Sequence, residues 1–129
     1  MKCLIFLLLI GVSFNSFSHE TSGTLGTDVS ATHYLVVTCS VDGSMIPDKM
    51  YFRINSLSTK PLVSAQVAKD NFVTNMTSKR GGAEIRQGEG EYRITIDKNG
   101  NGNGVARYSI EYHCESGGNH TETTLESRN

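Results

Sequence analysis

Two imidazoles and two carboxylates fall within ten residues in "HCESGGNHTE", 113–122. If the chain reverses at Gly117-Gly118, Glu115 comes opposite His120 and His113 opposite Glu122. His113 and His120 are then diagonal neighbours on one strand face, with Cβ atoms about 7–8 Å apart. Imidazole and carboxylate side by side are the donors that Zn(II) and Cu(II) prefer. The competing expectation is a hydrophilic outer face that carries two solvated histidines. A second stretch, "IDKNGNGNGVARY" (96–108), spaces Asp97, Asn99 and Asn101 at alternate positions before Gly102, as a calcium loop does. Such a loop needs a glutamate at its twelfth position, which here is Tyr108. One carboxylate among neutral amides holds calcium poorly, so the stretch reads as an Asn/Gly hairpin turn.

Catalytic signatures are absent from the sequence: there is no Gly-x-Ser-x-Gly, no His-Glu-x-x-His and no phosphate-cradling glycine loop. Glu89 and Glu91 share a strand face beside a turn, where solvation accounts for them. Lys79-Arg80-Gly81-Gly82 reads as an exposed loop tip. Asn75-Met76-Thr77 and Asn119-His120-Thr121 have the form of glycan acceptors, which matters only for a chain made in a eukaryote.

The elements that must position these residues are strands. Leu35, Val37, Cys39 and Val41 alternate, as do Met50, Phe52 and Ile54, then Val63, Ala65 and Val67, then Tyr92, Ile94 and Ile96. Ala106, Tyr108, Ile110, Tyr112 and Cys114 continue the pattern, with Arg107, Ser109, Glu111 and His113 between them. Period two over so many segments predicts antiparallel strands with one dry and one wet face. Asp42-Gly43, Gly81-Gly82, Gly88, the Asn-Gly run and Gly117-Gly118 fall between them as turns. "NFVTNMT" reads as an edge strand. The expected fold is an all-β, immunoglobulin-like antiparallel β-sandwich of seven to eight strands with one disulfide, spanning 32–126.

The first eighteen residues, "MKCLIFLLLIGVSFNSFS", place a basic residue before a short apolar run and end on small serines. That is the form of a secretory signal peptide cut after Ser18, and the run is too short to span a membrane. The expected product is secreted or periplasmic, begins at His19, and carries 19–31 as an N-terminal arm or edge strand. Twelve basic residues against thirteen acidic ones leave no basic stripe for nucleic acid. Cys3 leaves with the signal, so Cys39 and Cys114 remain with a single possible pairing in an oxidising compartment. Closing a loop of about 75 residues is worth roughly 4 kcal/mol in the chain-entropy account.

"Tyr112-His113-Cys114" resembles the Tyr-x-Cys of immunoglobulin domains, although the chain has no tryptophan to pack on the bridge. "YHCESGGNHT" looks like the ending of small exported bacterial proteins, which implies compartment and fold. An N-terminal His19 resembles the amine-plus-imidazole copper site of small exported copper-binding β-sandwiches and copper-dependent polysaccharide oxygenases. That resemblance implies copper held by His19 with His113 or His120. Taken together, the sequence predicts a non-enzymatic exported binding module for a protein, glycan or envelope component, with no resident cofactor. The alternative is a periplasmic copper- or zinc-binding protein that uses His19, His113 and His120.

Overall fold

A computed structural model describes residues 18–100 and 104–128. Within them the chain forms β1 (His19–Leu25), β2 (Thr32–Ser40), β3 (Lys49–Ser56), β4 (Val63–Lys69), β5 (Phe72–Thr77), a 3-10 turn at Ser78–Arg80, β6 (Ala83–Ile85), β7 (Gly90–Lys98), β8 (Ala106–Ser116) and β9 (Asn119–Ser127). Every pairing between these strands is antiparallel. The order is β5-β4-β7-β2-β9-β8-β3-β6, with β1 added to β8, and the nine-stranded sheet is curled into a half-barrel.

Strand β9 makes the continuity. Its first residues pair with β8, from Ser116↔Asn119 to Cys114↔Thr121, and its remainder pairs with β2, from Ser40↔Glu122 to Leu35↔Ser127. Where β9 leaves β8, the Thr123 hydroxyl accepts the Cys114 amide at 2.9 Å, so the split opens without orphaning that donor. The edge of β8 beyond the split is taken by β1, from His19↔Tyr112 to Leu25↔Ala106.

The alternating residues supply the core. Phe52, Ile54, Val37, Tyr92, Ile96, Ile110 and Met76 are fully buried on the concave side. Cys39 and Cys114 are bonded there with Cα atoms 5.5 Å apart, tying β2 to β8 across the strand between them. Two strands escape the alternation. In β1, "HETSGTL", only Leu25 is buried, and β6 is three residues long, which brings the count to nine against the expected seven to eight. No helix among the described residues is long and apolar enough to cross a membrane. The expected signal peptide lies outside the described residues up to position 17, and Ser18 donates its hydroxyl to Glu111.

Candidate metal centre

The outer face of β8 carries the candidate site. Tyr112 and Cys114 point inward, so His113 and Glu115 must point outward. In β3 the inward residues Met50 and Phe52 likewise send Lys49 and Tyr51 out, and the register sets Tyr51 beside His113 and Lys49 beside Glu115. The β8–β9 hairpin turns at Gly117 and Gly118, whose φ values of 55° and 85° belong to glycine. It brings His120 opposite Glu115, as the spacing predicts. Glu122 does not meet His113, because β9 has by then crossed to β2, where Glu122 pairs with Ser40.

The result is a file of three near-parallel rings. Tyr51 stacks on His113 with centroids 4.8 Å apart, and His113 on His120 at 4.4 Å. Gly82 closes the far end of the file: a Cβ there would overlap the Tyr51 ring. Lys79, Arg80 and Gly82 are exposed, as expected of a loop tip, and Arg80 donates to the Thr74 hydroxyl and the Asn75 carbonyl.

Beneath the rings runs a chain of charges. His113 Nε2 lies 2.8 Å from Glu115 Oε1, and Lys49 Nζ lies 3.2 Å from Glu115 Oε2. The same ammonium donates to Glu84 at 2.9 Å, and Arg86 holds the other oxygen of Glu84 at 2.8 Å. Hydrogen bonds to Glu84 first, then to Glu115, hold the Lys49 ammonium above its ordinary pKa. The bond from Lys49 holds Glu84 below its own. His113, Lys49 and Glu115 side chains are mostly covered, at 12, 12 and 16 % exposure. The buried Nδ1 of His113 has no hydrogen-bond partner.

His113, Glu115 and His120 offer donor atoms that all lie within 4.8 Å of one another, close enough for side-chain rotation to bring them onto one ion. His19 is not part of this set. It pairs with Tyr112 and stacks on that ring at 5.5 Å. Paired residues share a sheet face, so His19 sits on the side opposite His113, and Glu115 stands where the N-terminal histidine was expected. The remaining histidine, His33, bonds the Tyr108 hydroxyl at 2.7 Å.

In the Asn/Gly stretch, Asp97 Oδ1 takes the Thr32 hydroxyl at 2.5 Å, and the Asn99 amide bonds the Leu62 carbonyl. Asn101 and Gly102 lie outside the described residues. Asn75 is in the edge strand β5, and Asn119 opens β9. Lys49, Tyr51 and Glu84 are the members of the site that sequence reasoning missed. The alternation of β3 already turned Lys49 and Tyr51 outward, but only the pairing of β3 with β8 sets them beside His113.

Comparison with protein-family models, with curated proteins and with solved structures gives no match to this chain.

Proposed function

We propose that this protein is an exported binding module whose ligand is a divalent transition-metal ion, Zn(II) or Cu(II), held by His113, Glu115 and His120. The carrying observation is the convergence of two imidazoles and one carboxylate from two adjacent strands within 4.8 Å. Both ions favour this donor set, and a fourth position stays open to water or a further ligand. The disulfide and the absence of a membrane-crossing helix among the described residues are compatible with a periplasmic or extracellular setting. The tie between β2 and β8 across the core also supports reading the curled sheet as a relative of the immunoglobulin-like sandwich.

Loading rearranges the site. A nitrogen lone pair lies in its ring plane, and near-parallel rings 4.4 Å apart cannot both aim at one ion about 2 Å away. His120, the second residue of β9 and next but one to the glycine turn, would swing out of the file. Ligation through His113 Nε2 would break its 2.8 Å contact with Glu115 and require the ring tautomer with its proton on Nδ1.

The test is titration of the protein with Zn(II) and Cu(II) in a non-chelating buffer. One saturable equivalent is expected, with the His120→Ala variant weakened at least about tenfold, or about 1.4 kcal/mol. Binding of equal strength in that variant, or no saturable equivalent with either ion, would refute the proposal.

A further inference from the structure

Lys49 is the unusual member of the site. An ammonium bonded directly to a metal-ligating carboxylate repels an incoming cation and occupies one of the two carboxylate oxygens. Lys49 is also not committed to Glu115, because Glu84 accepts from it at 2.9 Å against 3.2 Å for Glu115. Glu84 also pairs with Arg86 and offers the ammonium a second berth.

Resting on the metal reading above, the geometry points to Lys49 as a built-in competitor for the ion: the site works by cation exchange, with Lys49 neutralising Glu115 in the empty state and passing wholly to Glu84 when metal enters. The empty site thereby avoids an uncompensated, mostly covered carboxylate, which is costly. The loaded site avoids holding an ammonium and a metal ion on the same carboxylate. Lys49 thus sets the affinity without touching the ion, and Glu84 acts only through Lys49.

Three substitutions and one combination test this with Zn(II) as the probe. Lys49→Gln removes the competitor and tightens binding about tenfold, as expected for deleting a like charge at partly screened contact distance. Lys49→Arg keeps the charge, and its affinity stays at or below that of the wild type. Glu84→Gln removes the second berth, leaves the ammonium on Glu115, and weakens binding several-fold. Introduced into Lys49→Gln, the same Glu84→Gln change has no further effect beyond about threefold, because the residue it serves is gone. Circular dichroism melts confirm that each variant is folded before titration.

Wild-type protein that binds Zn(II) while Lys49→Gln binds equally or more weakly overturns the exchange role and leaves the metal reading standing. A Glu84→Gln effect that persists in the Lys49→Gln background shows Glu84 acting directly on the ion, and overturns the relay. Failure of both the wild type and Lys49→Gln to bind removes the metal reading, and this inference with it. Binding by Lys49→Gln alone also overturns the exchange role, because a wild-type site that never fills exchanges nothing.

Discussion

Reducing the Cys39–Cys114 bond perturbs the fold without changing any residue. The bond spans 75 positions and joins β2 to β8, two strands with no ladder between them. In the chain-entropy account, freeing a loop of that length in the unfolded chain costs the native state about 4.5 kcal/mol at 25 °C. The thiols that remain are small, apolar and already in the core, since Cys39 is 1 % and Cys114 0 % exposed. No cavity opens and no charge is buried, so the entropic figure should be close to the whole effect. For a domain near 100 residues each kcal/mol moves the melting point by about 4–8 °C. Melting under a phosphine reductant should therefore fall by roughly 20 °C or more. The assay is far-ultraviolet circular dichroism of matched oxidised and reduced samples, with thiol titration in denaturant counting the free sulfhydryls. A reduced sample that melts within a few degrees of the oxidised one would refute the reasoning. So would two free thiols in the denatured, untreated protein.

Two further outcomes rest on tyrosines. Gly23 pairs with Tyr108 across β1 and β8, and a Cβ at Gly23 would overlap the Tyr108 ring, whose hydroxyl is held by His33. Gly23→Ala should cost about 1–3 kcal/mol by overpacking, measured by urea unfolding, and an unchanged midpoint would show that the ring moves freely. Burial raises the Tyr92 phenol to about 12, and burial also lifts Tyr108 and Tyr112 above their ordinary value. A raised folded pKa contributes stability that is complete below about pH 10, the unfolded value, and is lost as pH climbs through the folded one. Alkaline unfolding is therefore expected between about pH 10 and 12, together with late phenolate absorbance near 295 nm. Ionisation of all tyrosines in a single step near pH 10 with the fold intact would contradict it.

Alternation of residue type tells which face of a strand a side chain takes, and here it did so for β3, β4, β7 and β8 and for β2 as far as Cys39; Val41, expected on that same face, lies past the end of β2 and is exposed. Alternation says nothing of which strand lies alongside. The inward set Met50, Phe52, Ile54 and the inward set Ala106 to Cys114 were both visible in the sequence, yet their pairing rests on contacts between residues more than fifty positions apart. For that reason His113, Glu115 and His120, which belong to one local hairpin, were legible, while Lys49, Tyr51 and Glu84 were not. Strand β1 could be read only as an arm or edge strand within 19–31, for a different cause. It lies along the edge of β8 by main-chain bonds and buries one large side chain, Leu25, so its sequence carries almost no period. The consequence falls on His19. Its position after the expected cleavage point suggested a ligand, but its pairing with Tyr112 fixes its face, and a strand residue cannot change face without a one-residue slip of the whole ladder. Such a slip would also move Gly23 off Tyr108 and Leu25 out of the core. The packing of those two residues thus excludes His19 from the His113 side more firmly than any feature of the arm itself.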